Sequence, residues 1–263
     1  MHAICRVVFN QKGGVGKSTI TVNLAATAAS QGKRVLVVDL DPQGNSSHYL
    51  MAGQPPEDNR NLASFFDQVL NISLFNKEPH EFISETPFPG LSLLASHPAL
   101  ADLMIKLESR YKMFKLKEAL DVLGNDFDEI WIDTPPALNF FTRSALIAAQ
   151  RCLIPFDCDT FSRQALYGLL VSVEEMRSDL NADLQVEGIV VNQFQARASL
   201  PARLVAELRA EGLPILDTPL SASVKIRESH EAARPMPYLD PRHKLTLEFG
   251  ALYQQLDKAS HRR

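Results

Sequence analysis

Short β-branched runs alternate with longer amphipathic stretches along the chain. Residues 4–10 (I-C-R-V-V-F-N) predict a buried strand, followed by a glycine turn and a helix over about 18–31 that ends at Gly32. The run 34–40 (R-V-L-V-V-D-L) predicts a second, nearly continuous apolar strand. Residues 41–61 are rich in Gly, Pro and Asn and predict a loop with short structure. Helices are expected over 61–70 and 98–107 with a strand at 91–95 between them, then helix 111–123, strand 129–133 and helix 140–149. Strand 151–156, a long helix around 164–180, strand 185–192, helix 201–210, a short strand near 214–216 and a helix over about 244–256 complete the pattern. Strands that are apolar on both faces, separated by helices, predict an α/β fold: a doubly wound, mostly parallel sheet with helices on both faces. No low-complexity linker or repeat divides the chain, so one domain over 1–263 is expected, with no helix-turn-helix module ahead of the first strand.

Composition narrows the class. The chain has 263 residues, 45% hydrophobic and 22% charged, as a globular protein does, and its net charge of −4 advertises no nucleic-acid or membrane partner. Cys5, Cys152 and Cys158 are widely spaced with no C-x-x-C pair, which argues against a disulfide framework or a structural zinc site. They read as small buried side chains in a reducing cytoplasm. No apolar run approaches the ~20 residues needed to span a bilayer, and the first ten residues lack the pattern of a signal peptide. An intracellular soluble protein is expected. Charge is unevenly spread: from Asn192 onward eight Arg and three Lys face eight Asp/Glu, so a mildly basic last quarter follows an acidic body. That is either ordinary surface variation or a weak, diffuse anion-binding face.

The strongest chemical signal is K-G-G-V-G-K-S-T at residues 12–19, between the first predicted strand and helix. It is a close form of the phosphate-binding P-loop in which Gln11 occupies the usual first glycine position. Gly13, Gly14 and Gly16 let backbone N–H groups approach a phosphate, and the helix presents its positive end to the same anion. Lys17 supplies a point charge for the β- and γ-phosphates, and the Ser18 hydroxyl suits Mg²⁺.

The motif resembles the deviant Walker A of the ParA/MinD ATPases, in which Lys12 is the signature lysine. V-L-V-V-D-L-D-P-Q-G-N (residues 35–45) is similar to the family's second motif, and E-I-W-I-D-T-P-P (129–136) to its Walker B strand. The resemblance runs from the start of the chain and fades after about Arg234. It implies ATP as ligand with Mg²⁺, bound by Lys12, Gly13, Gly14, Val15, Gly16, Lys17, Ser18 and Thr19. It also implies an ATP-bound homodimer in which Lys12 reaches the partner's nucleotide, with Lys12, Lys17 and Asp41 as the catalytic set and Asp41 placing the attacking water. Ser18, Asp39 and Asp133 would serve the magnesium, although a carboxylate at a strand end can equally be a helix cap, as for Asp39. No arginine finger is evident, so slow turnover is expected.

By the same resemblance Asn192 and Pro219 flank adenine, Asn192 being alternatively a plain strand-end turn residue. Segment 218–234 resembles the family's DNA-contacting stretch but carries Ser223 where an asparagine is common and Lys225 where an arginine is common. Arg203, Arg209, Lys225 and Arg227 are candidates for DNA contact without sequence preference, or are ordinary solvated helix faces. The last residues are basic without bulky apolar neighbours, unlike the membrane-inserting end of MinD-type proteins, so no membrane binding is expected. A cytoplasmic, nucleoid-associated ATPase that positions a cargo, released by a hydrolysis-stimulating adaptor protein, is one reading. A regulatory or scaffold ATPase that binds a protein partner and no DNA is the other. An amidotransferase-type synthetase is disfavoured, because the chain has no glutaminase segment or nucleophilic cysteine motif.

Overall fold

The computed structural model describes residues 3–54, 59–71, 75–157, 162–195 and 199–260. Cys158 and the basic end 261–263 lie outside the described residues. Seven strands form one sheet: β1 (Ile4–Val8), β2 (Val35–Asp39), β3 (Ser84–Glu85), β4 (Leu91–Leu94), β5 (Glu129–Asp133), β6 (Arg151–Asp157) and β7 (Gln185–Asn192). Their order is β3-β4-β2-β5-β1-β6-β7, and every pairing is parallel except β3 with β4. The first six helices are α1 (Lys17–Ser30), α2 (Asn45–Leu50), α3 (Leu62–Leu70), α4 (Leu100–Ser109), α5 (Lys115–Leu123) and α6 (Phe140–Ala148). Then follow α7 (Ser162–Asp179), α8 (Ser199–Ala210), α9 (Lys225–Glu231), α10 (Met236–Leu239) and α11 (Lys244–Ser260).

The expected doubly wound fold is present, and its cause is visible in β1. Cys5, Val7 and Phe9 enter a core with α3, α5 and α6, while Val8 enters the opposite core with α1 and α11. A strand covered on both faces must be apolar at nearly every position. Strands β2 and β4 lie to one side of β1, β6 and β7 to the other, so a crevice opens beyond the carboxyl end of β1. Cys5 and Cys152 are buried free thiols, as expected.

Some expected boundaries move. The helix expected from 111 begins at Lys115, because Tyr111 takes a left-handed φ of 54° that separates α4 from α5. The strand expected near 214–216 is a single bridge between Ile215 and Ile189. Within the 41–61 loop, α2 follows a left-handed Gly44, and further along the chain β3 adds a two-residue antiparallel edge to β4.

One charge lies in the core. Arg6 on β1 is fully buried: its Nε donates to Glu187 at 2.8 Å, Nη1 lies 3.2 Å from Glu129, Nη2 donates to Ser260 at 2.7 Å, and its guanidinium sits 5.1 Å from the Trp131 ring centroid. Trp131 and Tyr253 also donate to Glu129, at 2.9 and 2.7 Å. This network joins β1, β5 and β7 to α11. Arg6→Ala would leave two buried carboxylates without their cation and should destabilise the fold by about 3–5 kcal/mol. Chemical denaturation of wild type and variant checks this, and an unchanged midpoint would contradict it.

Candidate nucleotide site

Beyond β1 the chain turns through the phosphate loop and enters α1. Asn10 holds the turn, its Nδ2 donating to the Pro155 carbonyl at 2.7 Å and its Oδ1 accepting the Lys12 N–H at 2.8 Å. The far end of the loop is pinned by Lys17, whose Nζ donates to the Lys12 carbonyl at 2.9 Å. Gly16 caps α1 with φ 90° and no capping side chain, which leaves the helix's positive end to an outside anion. A Cβ on Gly16 would stand 2.4 Å from Nδ2 of Asn192, so this position requires glycine on both counts. Asn192 Nδ2 donates to the Val15 carbonyl at 2.9 Å. The loop opens onto a cavity of about 470 Å³ whose lining includes Gly13, Gly14, Gly16, Lys17, Ser18 and Thr19, with Asp41 opposite.

Acidic side chains crowd the same crevice. Asp39 and Asp133 are register partners on adjacent parallel strands, and both are fully buried. Burial, then repulsion from Asp133, pushes the Asp39 carboxyl up to about 8. Burial pushes Asp133 up to about 6, opposed by hydrogen bonds from the Ser18 and Ser46 hydroxyls. Burial also lowers the Lys17 ammonium, opposed by Asp133 and Asp41. Asp39 Oδ2 accepts from the Ser47 N–H and hydroxyl at 2.7 and 2.8 Å, and its Oδ1 accepts the Asp41 N–H at 3.2 Å. Asp39 thus holds the loop into α2 and is not in the lining of the cavity. Asp41 does line it, with Oδ1 accepting the Gln43 N–H at 3.0 Å.

With Asp39 holding its proton, Asp133 and Asp41 against one lysine still leave negative charge that a divalent cation would balance. Asp133 Oδ1 is buried without a hydrogen-bond partner among the described residues, while its Oδ2 accepts from the Ser46 hydroxyl at 2.7 Å, and Ser18 opens onto the same cavity. These are hard oxygen donors of the kind Mg²⁺ takes. No group of three metal-ligating His, Cys, Asp or Glu side chains occurs among the described residues.

Comparison with known proteins decides the family. A family model described as an AAA domain matches residues 2–186. The chain is 31% identical to the chromosome partitioning protein ParA of Myxococcus xanthus, covering 95% of this chain and 87% of that one. It is 35% identical to the chromosome-partitioning ATPase Soj of Thermus thermophilus, over 84% of this chain and 82% of that one. The chain belongs to the ParA/MinD family of ATPases. Among solved structures, cobyrinic acid a,c-diamide synthase from Mycobacterium smegmatis, with a bound ATP analogue and magnesium, superposes with a TM-score of 0.84. That match is 25% identical and covers 99% of this chain and 96% of that one. The resemblance drawn from three motifs thus extends over nearly the whole chain.

The rest of this ParA/MinD-family site is less uniform. A second cavity of about 540 Å³ adjoins the loop, with Asn192, Ser221, Ser223 and Phe249 in its lining. Asn192 thus keeps one amide N–H and its carbonyl oxygen for a base while the other N–H holds the loop. Pro219 is half-buried in the preceding segment, and the lining there begins at Ser221. The four basic candidates are split between α8 and α9. Arg203 lies 3.6 Å from Glu207, Arg209 3.8 Å from Asp217, and Lys225 2.8 Å from Glu228, while Arg227 is exposed. Ser46, Ser47, Tyr49 and His230 also serve the site and carry no motif; the paired serines just after D-P-Q-G-N were the one available signal.

A testable consequence follows from Asp39. Its folded-state value lies above the ordinary 3.8, so the native chain holds a proton that the unfolded chain releases. Without a divalent cation, its contribution to stability is present below 3.8 and is lost as pH rises toward about 8. The melting temperature of Asp39→Asn relative to wild type, measured in EDTA, should therefore rise between about pH 5 and about pH 8. A difference independent of pH would contradict the assignment.

Proposed function

We propose that this chain is a ParA-type positioning switch: ATP with Mg²⁺ closes two copies face to face, the closed dimer holds DNA without sequence preference, and stimulated hydrolysis releases it. The observation that carries this reading is the state of Lys12. It is exposed at the surface, yet its backbone is pinned at both ends, the N–H on Asn10 and the carbonyl on Lys17. A lysine so presented suits contact with the nucleotide of a second copy, where it offsets repulsion between two triphosphates. ADP lacks the γ-phosphate that would reward closure, so the dimer depends on ATP.

Within one copy, Lys17 and the first turn of α1 bind the β- and γ-phosphates, and Ser18 and Asp133 hold Mg²⁺, which supplies charge neutralisation at the phosphates. Asp39 supports the magnesium shell from behind by fixing the loop. Asp41, 7% exposed and lining the cavity, orients the attacking water. Arg203, Arg209, Lys225 and Arg227 supply a weak contact with DNA phosphates, because three of the four already face a carboxylate. That pairing also favours the second reading, a switch that binds a protein partner and no DNA. The expectation of no membrane binding is supported by α11, which buries Leu245, Phe249, Leu252, Tyr253 and Leu256 in the core and exposes Leu247 alone among its large apolar side chains. No described helix is long and apolar enough to cross a membrane.

Light scattering after size exclusion should show a dimer with Mg²⁺–ATP and a monomer with ADP, with Lys12→Ala remaining monomeric in both. Asp41→Ala should form the dimer and fail to turn over; normal hydrolysis by that variant would remove the water-orienting role. Duplex DNA of arbitrary sequence should be retained in ATP at about 50 mM salt and lost about a hundredfold by about 200 mM, as a handful of phosphate contacts requires. No ATP-dependent retention at low salt would leave the protein-partner reading.

A further inference from the structure

The two cavities beside the phosphate loop share a wall. Gly14, Gly16, Thr19 and His230 line both, so Thr19 and His230 are the residues of that wall that carry side chains beyond Cα. They come from distant parts of the chain, the first turn of α1 and the far end of α9, and Thr19 Oγ1 lies 3.0 Å from His230 Nε2. A nucleotide with its β- and γ-phosphates over Lys17 and its base beside Asn192 must cross this wall. The groups between them are the α-phosphate and the ribose, and the α-phosphate is the one bonded next to the phosphates over the loop.

We infer that His230 contacts the nucleotide, holding the α-phosphate jointly with Thr19. This rests on the reading that the polyphosphate lies over the glycine loop. A hydroxyl and an imidazole nitrogen can each donate or accept, whereas phosphate oxygens only accept. The pair that now bonds to itself turns both hydrogens to the ligand when phosphate arrives, beside the positive end of α1.

The ring is held ready for this while remaining open to solvent. Tyr49 meets it edge-on, with centroids 4.9 Å apart at 86°, and the Tyr49 hydroxyl is bonded to Ser229, the preceding residue. Ser229 donates to the Arg234 carbonyl at 2.6 Å, and the Met236 N–H donates to Asn23 Oδ1 on α1 at 2.8 Å. The end of α9 is thus fastened to α1 and α2, and His230 is exposed in the resulting notch. Because α9 also carries Lys225 and Arg227, the same contact joins nucleotide occupancy to the helix that holds two of the basic candidates.

The α-phosphate is common to ATP and ADP, and this separates His230 from any group that senses the γ-phosphate. Calorimetric titration of Mg²⁺–ATP and Mg²⁺–ADP should show His230→Ala weakening both by about tenfold or more, the loss of one hydrogen bond to a charged acceptor. His230→Gln, which restores an N–H donor of similar reach, should recover part of the loss for both. Affinities within twofold of wild type for His230→Ala, a loss confined to ATP, or a loss that His230→Gln does not relieve would each overturn the inference. Lys17→Ala serves as the control on the underlying reading. Nucleotide binding that survives Lys17→Ala refutes the placement of phosphate over the loop, whatever His230 does.

Discussion

Two carboxylates buried side by side in one sheet are the constraint around which this crevice is built. Pairing β2 with β5 makes Asp39 and Asp133 register partners at the carboxyl ends of their strands. Burial removes the water that would screen them. Asp39 is held by the Ser47 N–H and hydroxyl and Asp133 by Ser46, while Asp133 and Asp41 support the Lys17 charge against its burial. The remaining negative charge makes a divalent cation, and the phosphates it brings, part of the charge balance of the fold.

The opposite end of the sheet solves a similar problem internally. There Glu129 and Glu187 share Arg6, with α11 closing over them through Tyr253 and Ser260. A buried set whose carboxylate oxygens are bonded within the chain holds elements together; one with an unbonded oxygen, as at Asp133 Oδ1, leaves a place for a ligand. The doubly wound topology places the complete set at the start of the strands and the incomplete one at their carboxyl ends, where open α/β sheets bind ligands.

Much of this was legible in the sequence, because the signals were local. Near-continuous apolar runs gave β1, β2 and β5, and glycine spacing with Lys17 gave the loop. Asp39, Asp41 and Asp133 stood out as acids at strand ends. What was hidden depended on distant contacts. His230 is one polar residue in a charged seven-residue helix without apolar periodicity, and only the packing of α9 on α1 brings it to Thr19. Arg6 reads as an interruption of an apolar strand until β7 supplies Glu187. The break at Tyr111 hinges on one left-handed residue that is not glycine, for which the sequence carried no cue. The bonds from the Ser47 and Asp41 N–H groups to Asp39, which fix the loop after β2, carried no signal in the sequence.

On this charge balance, the acid cluster makes nucleotide binding conditional on a divalent cation. Calorimetric titration of ATP into the protein, once with Mg²⁺ and once in EDTA at the same ionic strength, tests it most directly. The charge balance predicts tight binding with Mg²⁺ and at least a tenfold loss in EDTA, relieved in part by Asp133→Asn. Equal affinity in the two conditions would mean that the buried carboxylates are already compensated within the chain, and the account would be wrong at its base.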